Sequence, residues 1–473
     1  MGKTTDSKYV HNGKESNPWG FFVNNREGQM LNKLYDLFIR DYLNTLIAKE
    51  ISTITSYAAK VWYYNANADI GSSPLFARLN SKQKQIISKI EEIPNLSDEA
   101  LSENHIILLN GNLNHSFDNQ EQLQAIHKRM NRSSRVMAVV YNSYLRWAYI
   151  LANKFGLRSG EVPSTFLTLR DLENIAKISG FEIVRLRPIA YIPFSFFGIG
   201  TMLNKILQAT PMLRWLGYAL IVTMRPRIAS AQAPSLSVLI PARNEKGNIE
   251  NALKRMPKFG GSYPEVIFVE GHSNDGSWEE IQRVISLYEN QMKIQAFKQS
   301  GKGKNDAVRL GFSKATGDLL TILDADLTMP PELLGRFYDA YVSGQADFVN
   351  GSRLVYPMEG EAMRFLNWLG NVFFAKTLSF VLDTNIGDSL CGTKLLTRVD
   401  YIRFQNWRKD FGDFDPFGDF ELIYPAAILG LGIVDIPIRY RARTYGSTNI
   451  HRFRHGFMLL KMMLIGFFRV RMG

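Results

Sequence analysis

The chain has 473 residues, is 45% hydrophobic, and carries 56 Lys+Arg against 44 Asp+Glu, a formal net charge of +12. That length predicts two or three domains, and the composition excludes extensive disorder. One cysteine, Cys391, excludes an internal disulfide and fits a reducing compartment, while the charge implies an anionic partner.

No helix-turn-helix, zinc-finger or RNA-binding aromatic signature accompanies the charge, so nucleic acid is not expected as that partner. The basic residues gather at the end: residues 439–473 hold eight Lys/Arg and no acid, which favours an anionic membrane surface. No stretch offers the ~20 apolar residues of a spanning helix. The uncharged run 188–204 is broken by Pro193, Gly198 and Gly200. The N-terminus lacks a signal-peptide core.

Residues 1–28 are polar and expected to be flexible. Residues 29–228 read as one α/β domain: a helix over 31–54, then strand-like runs at 59–64, 105–109 and 135–141, each followed by a helical pattern. The segment 169–179 is an amphipathic helix closed by Gly180, before a strand at 181–186. Small polar residues at 229–234 form a linker. A second α/β unit, 235–450, follows.

The order strand, helix, GFEIVRLR and an apolar insertion through 227 resembles class I methyltransferases, with a Rossmann-like fold. The resemblance implies an acidic-x-Gly-x-Gly-x-Gly loop for S-adenosylmethionine after the first strand. Here Tyr63 replaces the acid, and Asn65, Asn67 and Asp69 replace the glycines. Glycine serves there because backbone must approach the ligand closely. An inactive methyltransferase-like domain is therefore expected.

In the second unit, the apolar run 319–323 ends in Asp324-Ala325-Asp326. Two carboxylates at a strand end repel each other unless a cation lies between them, and hard oxygen ligands suit Mg²⁺ or Mn²⁺. Upstream, one strand leads to Pro241-Ala242-Arg243-Asn244-Glu245 and the next to Glu270. A lysine pair, Lys302 and Lys304, precedes the aspartates. No dinucleotide-binding glycine fingerprint and no Walker motif is present.

With Asn350-Gly351-Ser352-Arg353, the Asp388 loop, Asp419-Phe420-Glu421 and Arg443-Thr444-Tyr445-Gly446-Ser447-Thr448-Asn449 in order, the unit resembles family 2 glycosyltransferases of GT-A fold, particularly dolichyl- or polyprenyl-phosphate mannose and glucose synthases. The resemblance implies that Pro241, Ala242, Arg243, Glu245, Glu270, Lys302, Lys304 and Asp324 bind a UDP- or GDP-sugar. It implies that Asp324 and Asp326 hold the metal, and that Asp326, Asp419, Glu421 and Arg443 serve catalysis. Arg353, Asp388 and Arg441 would face the acceptor, a lipid phosphate or a glycan.

The expected activity is metal-dependent, inverting sugar transfer at the cytoplasmic face of the membrane, with a small membrane subunit as a further partner. A non-catalytic interaction protein and a bifunctional methyltransferase-glycosyltransferase are the competing readings. Cys391 replaces a serine of the family loop and reads as a packing residue. Residues 451–473, with Phe457, Leu460, Leu464 and Phe468 at helical spacing beside Arg454 and Lys461, are expected to form a basic amphipathic membrane-interface helix.

Overall fold

The computed structural model describes residues 39–65, 73–96, 101–154, 163–357, 365–412, 415, 417–443, 445 and 452–473. The stretch 1–28, Asn67 and Asp69, and Thr444 with 446–449 of the arginine motif lie outside the described residues.

Two sheets, each rich in parallel strands, organise the chain. The first contains β1 (Lys60–Tyr64), β2 (Lys84–Ile87), β3 (His105–Asn110), β4 (Arg135–Tyr141), β5 (Phe181–Ile189) and β6 (Ala219–Pro226), in the order β2-β1-β3-β4-β6-β5. Only β6 runs against its neighbours. Strands β3 and β4 are continuous apolar runs because helices cover both faces of the sheet. Ile47, Ile51 and Ile54 of the helix Asp41–Thr55 pack on Val61, Ile106 and Leu108. On the other face, Leu123 and Ile126 of the helix Asn119–His127 and Leu172 and Ala176 of the helix Leu169–Ile178 meet Ile107 and Leu109. Thr168 and Asp171 form a capping box at the start of this last helix. Gly180, at φ +82°, stands just past its end, as the sequence suggested.

The second sheet has β7 (Leu236–Ala242), β8 (Glu265–Glu270), β9 (Ile294–Lys298), β10 (Leu319–Ile322), β11 (Phe348–Ser352), β12 (Lys394–Thr397) and β13 (Ile433–Pro437), in the order β13-β11-β12-β10-β7-β8-β9. Strands β10, β7, β8 and β9 are parallel, so their carboxyl ends open on one edge. Strand β12 is antiparallel to β10, and its register carries its first residue, Lys394, to that same edge.

The halves are joined by buried charge. Arg132 and Arg135 reach Asp347 at 3.2 and 2.8 Å, and Arg225 reaches it at 3.4 Å. Arg187, Arg214 and Arg471 converge on Asp383, while Glu50 takes Arg185 and Arg187. Spare guanidinium protons go to backbone oxygens, among them those of Gly430 and Gly344. The connection 229–234 is packed rather than free. Ser230 N donates to Val342 O at 2.8 Å, and Tyr338 OH donates to Pro234 O at 3.0 Å.

The C-terminal helix, Arg452–Gly466, continues as a π turn, Phe467–Arg471. Leu459, Met462, Met463 and Val470 join the core of the second half, whereas Phe457, Leu460, Leu464 and Phe468 are exposed. Arg471, counted above with the basic surface, is buried on Asp383 and adds nothing to a surface charge. No helix among the described residues is long and apolar enough to cross a membrane.

Candidate functional site

The open edge of the second sheet collects the charged residues. Strand β10 ends at Ile322, and Asp324 and Asp326 follow it in a tight turn with Leu327 at φ +53°. Thr328 holds Asp326 in place, its N–H and hydroxyl donating to Oδ1 at 3.1 and 2.8 Å. The other oxygen of Asp326 accepts Arg443 Nη2 at 2.7 Å, and Arg443 Nη1 donates to Glu245 Oε1 at 3.0 Å. One guanidinium thus bridges the turn after β7 to the turn after β10.

Asp324 has its own counter-ion. Lys304, first residue of the helix Lys304–Lys314, lies 2.5 Å from Oδ1. Burial would raise the Asp324 pKa, but Lys304 outweighs it and holds the carboxyl below its ordinary range. Burial opposes the charge on Lys304 in turn, and Asp324 and Asp419 hold its ammonium above the ordinary lysine value. Glycine at 392 leaves room for this pair: a Cβ there would lie 2.2 Å from Lys304 Nζ and 2.4 Å from Asp324 Oδ2, so a side chain would displace one of them.

Asp419 opens the helix Asp419–Ile428 and accepts Lys394 Nζ at 2.8 Å; Lys394 is itself fully buried. Glu245 is buried too, and burial pushes its carboxyl up to about 7 against the opposing Asn248 hydrogen bond and Arg443 charge. Glu270, at the end of β8, is buried and accepts Ser273 N, which shapes the next loop. Pro241 and Ala242 end β7, Arg243 follows them exposed, and Lys302 is exposed in the loop before the helix Lys304–Lys314.

The predicted residues therefore divide. Glu245, Lys304, Asp324, Asp326 and Arg443 form one connected charge network, with Asp419 at its border. Arg353 and Asp388 are paired with each other, in a bidentate contact at 2.7 and 2.9 Å that also takes Arg353 N. Glu421 faces Arg309 and Arg408. Arg441 is exposed and donates its backbone N–H to Thr328 O at 2.9 Å. Cys391 is buried, and burial pushes its thiol up to about 12, as suits a packing residue.

Sequence reasoning gave no role to Lys394, Gly392 or Asp275. Lys394 had a signal: a lysine opening an apolar strand needs a buried partner. Asp275 accepts Lys246 N and the Tyr445 hydroxyl, both at 3.2 Å, and had none.

Among the described residues no group of three or more His, Cys, Asp or Glu converges as a metal cage. Two carboxylates on one turn fit a divalent ion of the Mg²⁺ type, which takes one or two carboxylates and completes its shell with substrate phosphate and water.

Residues 237–403 match the family model described as glycosyl transferase family 2. A dolichol-phosphate mannosyltransferase of Pyrococcus furiosus is 29% identical over 243 residues, covering 48% of this chain and 64% of that protein. A dolichyl-phosphate hexose transferase of Haloferax volcanii is 28% identical over 221 residues, 47% of this chain and 89% of that protein. The chain thus spans a little under two thirds of the length of the first of these relatives. A solved structure of a mannosyltransferase from Pyrobaculum calidifontis, in complex with GDP-Man and Mn²⁺, aligns over 51% of this chain and 66% of that one, with 18% identity and a TM-score of 0.33. The segment that supplies both aspartates and Lys304, residues 237–403, is the part of this chain that matches glycosyl transferase family 2.

Proposed function

We propose that this protein transfers a sugar, with inversion, from a UDP- or GDP-sugar to a lipid-phosphate acceptor at a membrane surface. The observation that carries the reading is the Asp324–Asp326 turn, with each carboxylate neutralised by a cation from another element. Asp324 and Asp326 would hold Mg²⁺ or Mn²⁺, which supplies charge neutralisation for the departing diphosphate. Lys304 and Arg443 stand beside the same turn and add positive field where donor phosphates would lie. Pro241, Ala242, Arg243, Glu245, Glu270 and Lys302 line the donor side. Arg353, Asp388, Arg441, Asp419 and Glu421 belong to the acceptor side.

The acceptor oxygen forms the new bond at the anomeric carbon as the bond to the nucleoside diphosphate breaks. A lipid phosphate is already anionic, so the attack needs no strong base. A sugar hydroxyl would need one, and Asp419 is the group at hand. The names of the two relatives, both dolichyl-phosphate sugar transferases, support the lipid acceptor. The exposed face of the C-terminal helix supports a membrane surface.

The N-terminal half we read as methyltransferase-like in fold and without methyl transfer. Tyr63 supports this: its hydroxyl accepts Ser73 Oγ at 2.8 Å and Asn110 Nδ2 at 2.9 Å. Side chains thus occupy the strand ends where such sheets take ligands. Titration calorimetry is expected to show no S-adenosylmethionine binding at tens of micromolar, and a micromolar affinity lost on mutation of Tyr63 would reverse the reading. The main proposal is tested with a panel of nucleotide sugars, polyprenyl phosphate and Mn²⁺. Nucleoside diphosphate release and a glycolipid product should appear together. Failure with every donor, or transfer undiminished in chelator, would overturn it.

A further inference from the structure

The N-terminal half carries an apolar surface that its own fold does not use. The turn Phe196-Phe197-Gly198 is left-handed throughout, with φ of +40°, +54° and +89°. Bulky residues rarely adopt that conformation. Here it turns both rings outward: Phe196 is 64% exposed and Phe197 99%.

The helix Ile199–Ala209 continues the pattern inside out. Its exposed residues are Ile199, Met202, Leu203 and Ile206, at the spacing of one helical face. Its buried residues are Gly200 and Asn204. Asn204 Oδ1 accepts Tyr191 N at 2.6 Å and Ile192 N at 2.9 Å, and its amide donates to Ile192 O at 3.0 Å. A polar anchor inward and an apolar face outward is the reverse of a helix packed on a core. Beyond it, Met212 is 87% exposed and Leu213 and Leu216 are exposed as well.

This surface continues into the second half. The helix Ile199–Ala209 touches the π turn Phe467–Arg471, which packs on the helix Phe365–Leu382. Arg214 and Arg471 both lie over the Phe380 ring. Leu369 and Phe373 of the latter helix are exposed, as are Phe457, Leu460, Leu464 and Phe468. Residues 188–216, 365–382 and 452–473 contain no acidic residue, and they hold Lys205, Lys376, Lys461 and Arg469. So large an apolar area marks an interaction site. Basic charge without any acid selects an anionic lipid surface over a protein partner of mixed charge.

We infer that the Phe196-Phe197 turn and the helix after it form a second membrane wedge, by which the N-terminal half enters the interface of an anionic bilayer beside the C-terminal helix. This goes beyond the transfer reaction, since vesicle binding is read with no substrate present.

The test is co-sedimentation of the full chain with phosphatidylglycerol-phosphatidylcholine vesicles and with phosphatidylcholine alone. The wild type should bind the anionic vesicles. The double substitution F197S/M202S should lower the bound fraction about tenfold, with melting temperature and nucleoside diphosphate release unchanged. A second variant, F197W, should show brominated-lipid quenching in excess of that of the wild type, whose seven tryptophans set the background. Undiminished binding by F197S/M202S, or no excess quenching in F197W, would overturn the inference. So would a wild type that ignores vesicles but forms a dimer that F197S/M202S dissociates, because the surface would then join two copies. Vesicle binding without sugar transfer would count against the proposed function alone.

Discussion

Asp326 is held by Thr328 on one oxygen and by Arg443 on the other, so its charge is placed before any ligand arrives. Asp326→Asn keeps the size and most of the hydrogen bonding but removes the formal charge. It is expected to lower transfer about 100-fold or more, the scale seen when one electrostatic contact to developing charge is lost, with circular dichroism unchanged. Gly392→Ala tests the same turn from the opposite side. A Cβ at that point displaces Lys304 or Asp324, so donor turnover should fall about tenfold or more on the same scale while the helices keep their melting temperature within a few degrees. Away from the site, Glu265 gives a pH signature. Burial would raise its carboxyl, but hydrogen bonds from Lys293, Ser237 and Thr316 prevail and hold it at about 2, below the ordinary 4.5. A depressed carboxyl contributes stability above its unfolded value, and that stability is lost as pH falls through the folded value. Glu265→Gln should therefore cost about 2 kcal/mol at pH 7, with the gap to wild type closing between pH 4.5 and 2 in denaturant titrations.

The C-terminal helix shows how one element serves two surfaces. Met462 and Met463 sit in the core and Gly466 lies against Tyr424, where a Cβ would come within 2.0 Å of the ring hydroxyl. Met462→Ala should cost about 2–4 kcal/mol by cavity formation. Leu464→Ser, on the exposed face, should change stability by no more than about 0.5 kcal/mol yet weaken vesicle binding. Thermal melts and sedimentation of the two variants separate these roles. Strong periodicity made other elements legible from residues alone: the helix Leu169–Ile178 between Thr168 and Gly180, and the buried strands β3, β4, β7, β8 and β10. Strand β6 was hidden inside a longer apolar stretch, because a run buried on both faces has no period of two. Strands β2 and β9 were hidden by their lysines and glutamines at sheet edges. Of the site, the aspartate turn and its lysine were legible as a motif. The Arg443 bridge to Glu245 was not, since it joins positions far apart in the chain.

At the scale of the whole molecule, three arginines from the first half share one aspartate of the second. Asp347→Ala would leave Arg132, Arg135 and Arg225 buried with no common counter-ion. Removing one partner of a buried charge cluster costs about 3–5 kcal/mol. The wild type is expected to melt in a single calorimetric transition, and Asp347→Ala should split it in two as the halves lose their coupling. The Asp383 cluster extends the same arrangement to the end of the chain, since Arg471 closes it together with Arg187 and Arg214. Trimming residues 452–473 would therefore strip both a core layer and a buried cation.

That same pairing bears on inheritance. A second half exchanged for one from another lineage would need an acid at the place of Asp347 and another at Asp383, or the resident arginines of the first half would be stranded in a dry interface. An exchange of halves between residues 229 and 234 is thus expected to cost stability unless both acids come with it, and restoring an acid at those two places should recover the melting temperature.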